Sequence, residues 1–406
     1  MSVAQGISKT ISYKVQGALG TAASGSGGQL LRRESANFTL TKDTYSNNEI
    51  ASHQQHTGDT HGIRKTQATI SGVLSANTYQ DLFASVCRKA WAATSAISSL
   101  TLTIAADGVN WSVTRSAGDF LTGGIKIGDV VRLSGANLAA GNVGVNLVVL
   151  GVTATVLTVS VPTGTALTAE SAKASSTVTV VGKKLWVPTT GHTNLYYTFE
   201  ENFENVSRYK VYKDCQISKV DISMPATGNV TTSFALIGLG SRLSSGTQTL
   251  TSPTAETTTS VLASVSGSAY IGGVKQASVT SATVSIDGQV THGEAVIGSN
   301  TIPDTQRGRI MVKGTFTALY ESDTLASPFE NETTESLILY LADDATDAAD
   351  FVCIVCPEVK IFSDDADDGE KQIIRTYNFT GQLCSSGGAA LANHQTIVSL
   401  QDSTIA

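Results

Sequence analysis

At 406 residues the chain is too long for one ordinary domain and has room for roughly two to four, each able to bury its own core. Charged residues are only 15 % of it, against the roughly 25 % usual in soluble domains, which fits a subunit that hides much of its surface against neighbours. The formal net charge of −7 excludes a protein that grips nucleic acid by neutralising phosphates, but an acidic wall past which a duplex slides remains open.

The N-terminus shows no basic region followed by an apolar core, so no secretory signal is read and synthesis in a cytoplasm is expected. Gly17 to Gly28 is rich in Gly, Ser and Ala and is expected to form a mobile loop or arm. Ser35 to Lys42 alternates as a strand does, Asp43 to Arg64 is polar, and Thr66 to Leu74 returns to strand character. One helix is predicted next. Asn77 would cap it with Gln80 answering, and Tyr79, Leu82, Phe83, Val86, Ala90 and Trp91 would form its apolar stripe. From about 96 to 190 the texture changes to short, Gly-punctuated β-runs, read as a separate inserted sandwich or barrel. Val143 to Val161 is nearly long enough to cross a membrane, but its Asn and Thr residues and its alternation predict a buried strand or a hairpin pivoting near Gly151.

Residues 191–240 supply aromatic and charged strands that complete the first segment, and 241–268 read as a Ser/Thr-rich linker. The following segment, 269–384, resembles a second copy of the first. Ala36–Asp43 compares with Ser281–Asp287, and the basic strand ending at Gly72 compares with the one ending at Gly314. Pro328 is expected to shorten or break the helix of this copy. Residues 385–406 form a C-terminal arm. The expected organisation is therefore a first β domain from 1–95 and 191–240 around an insertion, a linker, a second domain and an arm.

Residues that invite a chemical reading have plainer ones. Cys353 and Cys356 have the spacing of a metal or redox pair, but they sit in an apolar strand-like run where positions three apart face opposite ways, so they read as core residues. His53, His56 and His61 lack the helical spacing of a zinc site. The acidic runs Asp343–Asp350 and Asp364–Glu370 lack the full pattern of a calcium loop and are expected as solvated turns. No nucleophile elbow, phosphate loop or catalytic carboxylate pair is present in the sequence, so no catalytic, metal-binding or cofactor-binding residue is assigned and an enzyme is not expected.

Taken together, Gly28–Ile50, Asp59–Arg64 and Ile70–Phe83 resemble, in order, spacing and residue type, the tail tube proteins of long-tailed bacteriophages. The resemblance covers about the first 95 residues well and 205–240 more loosely. It implies a tube domain of two packed β-sheets with one flanking helix; with the repeat and the insertion, the expected fold is mainly β, with two tube-type sandwich or barrel domains, the first flanked by one amphipathic helix, plus an inserted small β-sandwich (immunoglobulin-like) module that the family resemblance does not itself supply. It also implies a structural virion protein whose sheets join around a ring. Such rings stack into a hollow tail through which double-stranded DNA passes. The partners implied are further copies of the chain, a tape measure protein, and tail terminator and tip proteins, with no membrane insertion. Two copies per chain favour a trimeric ring of pseudo-sixfold symmetry over a hexamer. The polar segment would contact the adjacent ring, with Asn47, Asn48, Glu49, His53, His56, Asp59 and His61 as candidate contact residues, and the inserted module would project outward. The alternative function is a cell-surface-binding fibre or adhesin of immunoglobulin-like domains.

Overall fold

A computed structural model describes residues 3–50, 52–368 and 370–405. Strands dominate, as β-branched and Gly-rich composition requires. Their pairing defines two copies of one unit. In the first, Lys9–Val15 pairs with Tyr197–Phe203, which pairs with Arg208–Met224, then Thr231–Ser245, then Asp59–Val73, then Ser35–Ser46. In the second, Ala263–Ile271 pairs with Glu335–Ala342, then Phe351–Ala366, Ile374–Gly381, Met311–Leu319 and Val279–Asp287. Chain order and pairing order are the same in both, and every one of these pairs is antiparallel.

Local irregularities fix the correspondence. Against its neighbour the strand Arg208–Met224 shifts register twice, between Lys213 and Cys215 and between Ile217 and Lys219, and Phe351–Ala366 shifts once against Ile374–Gly381, between Ile361 and Ser363, in the place that matches the second of these. The skipped residues Ser218 and Phe362 are therefore equivalent bulges. Where the basic strands end, the Leu74 N–H donates to the Val230 carbonyl (2.8 Å) and the Tyr320 N–H to the Ile373 carbonyl (3.0 Å). Ala36 thus matches Ala282, each opposite the core residue Ile70 or Phe316. The same register sets Gly72 against Ala318 and Gly314 against Ala68, so the sequence comparison that aligned the two glycines is displaced by four positions. A glycine is no fixed landmark in a strand; the hydrogen-bond ladder sets register.

The copies share one apolar core, which runs from Ile11 and Phe199 through Phe234 and Ile286 to Phe316 and Phe379. The helix is shorter than predicted, spanning Gln80–Cys87. Asn77 has φ 60° and gives its N–H to the Asp402 carboxylate (2.7 Å), so it does not cap, and Arg88 in the left-handed region ends the helix before Ala90 and Trp91. Tyr79 and Phe83 still reach the core, both against Phe234, with ring centroids 5.2 and 5.3 Å away. The counterpart Ser327–Glu330 has four residues with Pro328 in its first turn.

Residues from 96 to 180 close into a six-stranded barrel with its own core. Leu147–Val152 and Val156–Ser160 form a hairpin whose turn is Thr153–Thr155, one step beyond Gly151. No helix among the described residues is long and apolar enough to cross a membrane. The barrel stands on the second copy's other layer, the outer sheet of Ala263–Ile271, Glu335–Ala342 and the first half of Phe351–Ala366, which packs over the core from the side away from the strand seam between the copies: Val130, Val148 and Leu150 pack against Tyr270, Ile338, Tyr340, Phe351 and Val355. Its root carries the buried Lys184–Asp129 ion pair (2.5 Å). Gly17–Gly28 is tied down: Gly20 donates to Asp214 (2.7 Å) and Ala23 to Thr198 (2.8 Å). Ser399–Asp402 is also fixed, inserted between Val352–Val355 and Lys183–Trp186.

Cys353 and Cys356 are buried in different apolar clusters on the two faces of one strand. Asp343–Asp350 is a turn region, whereas Asp364 and Asp365 lie within a strand rather than a solvated turn, and Asp364 is ion-paired with Arg375.

Candidate assembly surfaces

The two copies are joined edge to edge. Lys219–Met224, at the end of its strand, pairs antiparallel with Ala282–Asp287, so Val220 faces Ile286, Asp221 faces Ser285 and Ile222 faces Val284. Just beyond, the Gly288 N–H donates to the Ser218 carbonyl (2.8 Å). The eight strands from Ser35–Ser46 round to Phe351–Ala366 therefore make one continuous sheet.

Each copy contributes one half of such a seam that is not used. The equivalent of Lys219–Met224 is the stretch from Ser363 to Asp368, and the equivalent of Ala282–Asp287 is Ala36–Thr41. Among the described residues no strand pairs with either edge. Burial records the difference. Val284 and Ile286 are 1 % and 0 % exposed, while the matching Phe38 and Leu40 are only half-buried. Phe362 is 56 % exposed, although its match Ser218 is buried. An unpaired strand edge is a template for another chain.

One face of this sheet carries the core. The other is bare and polar, with Thr39, Gln67, Thr69, Thr283 and Asp365 exposed and Ser233, Thr317, Thr376 and Asn378 half-buried. Its hydroxyls bond across strands, as between Thr283 and Thr315 (2.8 Å) and between Ser281 and Thr317 (2.7 Å).

A long β-arm extends from each copy. In the second, Val290–His292 pairs with Thr305–Arg307, and this arm lies across the first copy. Thr305 donates to Gln216 (2.6 Å) and His292 Nε2 lies 3.0 Å from the Gly238 carbonyl. Tyr196 donates to Asp304, and the Arg307 guanidinium sits 5.4 Å from the Tyr196 ring centroid. Burial works to raise the Asp304 pKa, but hydrogen bonds from Tyr196 and Thr305 and the Arg307 charge hold it below the usual carboxylate range. In the first copy the matching arm, the ends of Ser35–Ser46 and Asp59–Val73 with the loop between them, lies beside the second arm, where the Arg64 N–H donates to the Asn300 carbonyl (3.0 Å) and Tyr45, His61 and Ile63 line a cleft with Val296 and Ile297. All seven sequence-derived contact residues lie on it and all are exposed. Asn47 Oδ1 accepts the Glu49 N–H (2.9 Å), His53 Nδ1 accepts the Gln55 N–H (3.2 Å), and His56 lies 3.2 Å from Asp59. Asn48 and His61 share the exposed arm without joining these contacts. Tyr45 and Ile50, 56 % and 104 % exposed, add uncovered apolar surface.

What sequence inspection missed are the two open edges. The alternation from Ser35 to Lys42 marks a strand but cannot say which side of it lacks a neighbour.

A duplicated β-subunit that joins its own halves through strand edges, and leaves the same edges open at its ends, belongs to the class of structural proteins that assemble through their sheets. Residues 6–381 match the family model described as phage tail tube protein, and the chain belongs to that family. It is a structural component of the phage tail, and membership implies self-assembly into tubes. No match is found among curated proteins.

Proposed function

We propose that the chain forms closed rings, three chains to a ring with pseudo-sixfold symmetry, and that the rings stack into a conduit for double-stranded DNA. The observation that carries this reading is the seam between the two copies. A chain that already joins two like units edge to edge, with the complementary edges free, continues the same operation with further chains until the sheet closes. Closure fills both open edges of the continuous sheet, which an isolated chain cannot do.

The wall of such a ring follows from the layering. The core, the outer sheet and the inserted barrel all lie on one side of the continuous sheet, so the bare polar face is the one that lines a bore. Lys65, Lys219 and Lys313 share that face with Asp221, Asp287 and Asp365, and Lys65 and Lys219 are ion-paired with Asp43 and Asp221, so a wall of hydroxyls and matched charges has no net positive surface to hold phosphates. The barrel, standing on the outer sheet, then lies on the outside. The tube has no catalytic role; it is built in the host cytoplasm around a tape measure protein and ended by terminator and tip proteins.

Negative-stain microscopy of purified protein tests the reading. Hollow rods with a regular axial repeat are expected, and end-on views should show three barrel densities per ring. Dispersed monomers at high concentration would overturn it. An adhesin built of immunoglobulin-like domains has no specific observation in its favour, since the inserted module closes into a barrel and packs on its own chain.

A further inference from the structure

We infer that the contact between neighbouring chains repeats the internal seam residue for residue, arm included, so that the exposed arm of the first copy docks on the second copy of the next chain in the same ring. This rests on the ring reading above and adds its register and its partner surface.

The internal interface has two parts, an antiparallel strand junction and an arm laid across the partner copy. Transferring the junction through the repeat places Ser363 opposite Thr41 of the next chain, Asp364 opposite Leu40, Asp365 opposite Thr39 and Ala366 opposite Phe38. The Lys42 N–H then meets the carbonyl of the bulge residue Phe362, as Gly288 meets Ser218 within the chain. The residues left uncovered in the single chain, Phe38, Leu40 and Phe362, are the ones this junction would cover.

The arm follows by the same transfer. Thr305 bonds Gln216 within the chain, and the matching residues are Asp59 and Lys360. Lys360 has no ion pair among the described residues, and Asp59 is paired only with the exposed His56. A carboxylate and an ammonium thus replace a hydroxyl and an amide at equivalent positions, a complementary pair separated only because their partners are on different chains. The arm also has the hinge it needs. The second arm turns onto its partner at Gln289, which has φ 47°. The first arm continues as one strand, Ser35–Ser46, but skips a residue at the matching Asp43, between Lys42 and Thr44. A bulge is where a strand bends. Tyr45, Ile50 and the seven polar arm residues then contact a neighbour in the same ring, in place of the adjacent ring.

Paired cysteines test the register. Facing residues across antiparallel strands have Cα atoms about 4.5–5.5 Å apart, within disulfide reach, and the five native cysteines are all buried. Thr39→Cys with Asp365→Cys, both on the bare face, should oxidise to interchain disulfides. On a non-reducing gel these give a ladder ending at the ring size. Asp221→Cys with Ser285→Cys, the same pair in the internal seam, should oxidise without change in mass and reports that the geometry permits the bond. Tubes in which the control pair oxidises and the first pair does not would overturn the register. Interchain disulfides in soluble oligomers that never form tubes would uphold the register while removing the conduit reading. For the arm, Asp59→Lys and Lys360→Asp should each reduce ring formation at least tenfold, and the double exchange should restore it. Intact rings that merely fail to stack in the Asp59→Lys variant would move the arm to the adjacent ring and overturn its docking.

Discussion

Single side chains at the root of the inserted barrel show how this fold handles charge it has buried. His394 stacks on Trp186 (5.3 Å between centroids), whose other contact is Lys89 Nζ, 4.0 Å from its ring centroid. Among the described residues the His394 Nε2 is enclosed with no hydrogen-bond partner. Burial, and then the charges of Lys184, Lys126 and Lys89, push its pKa down to about 2. A folded value below the unfolded value of about 6.5 means stability that is complete above about pH 6.5 and is lost as the pH falls toward the folded value. The urea midpoint should therefore drop between pH 7 and pH 5, by up to about 2 kcal/mol in stability. His394→Gln should flatten that part of the profile, and a variant as acid-sensitive as the parent would show that another group is responsible. At the same junction Lys126 Nζ donates to the carbonyls of Gly388, Ala389 and Leu391 (2.6, 2.9 and 2.5 Å). The C-terminal loop is thereby fastened to the barrel by one ammonium whose three donors are all used.

Among the elements, the barrel joins what its sequence position would separate. It is inserted after the helix of the first copy, yet it rests on the outer sheet of the second, and Asn146 reaches the Tyr340 hydroxyl (2.9 Å). Ser399–Asp402 adds a second tie by pairing with Val352–Val355 and Lys183–Trp186. These contacts tie the two copies together beyond their shared strand seam. The ends of the insertion are adjacent, the Val180 N–H donating to the Ser95 carbonyl (3.3 Å), so a short Gly/Ser link can replace residues 96–180. That replacement uncovers Ile338, Tyr340, Phe351 and Val355. It should lower the thermal midpoint and raise dye binding while leaving the bore unchanged in microscopy. An unaltered midpoint would show that the barrel does not brace the copies.

For the whole molecule, the proposed conduit makes the bare face of the continuous sheet the surface that a DNA cargo would meet. Thr69 and Thr376 lie on that face, in different copies. Changing both to Lys adds two cations per chain at positions repeated around every ring. Each cation near phosphates should slow passage at low salt and lose its effect as salt rises. The expected outcome is intact tubes, unchanged in diameter, from which DNA leaves more slowly at low ionic strength. Equal ejection rates at all salt concentrations would place this face elsewhere than the bore.

The sequence alone determined the strand-rich class, through β-branched and Gly-rich composition. Order and residue type along Gly28–Phe83 determined the resemblance that family membership upheld, and Pro328 the short second helix. These are properties of local pattern, and local pattern is what one chain displays. Helix ends were less legible, because Asn77 answers to Asp402, more than three hundred positions away. The correspondence of the copies, the seat of the barrel and the two open edges were decided by tertiary structure alone. Strand register and edge exposure depend on which segment lies alongside. A strand such as Ala36–Thr41 has the same sequence whether its outer hydrogen bonds are filled or waiting.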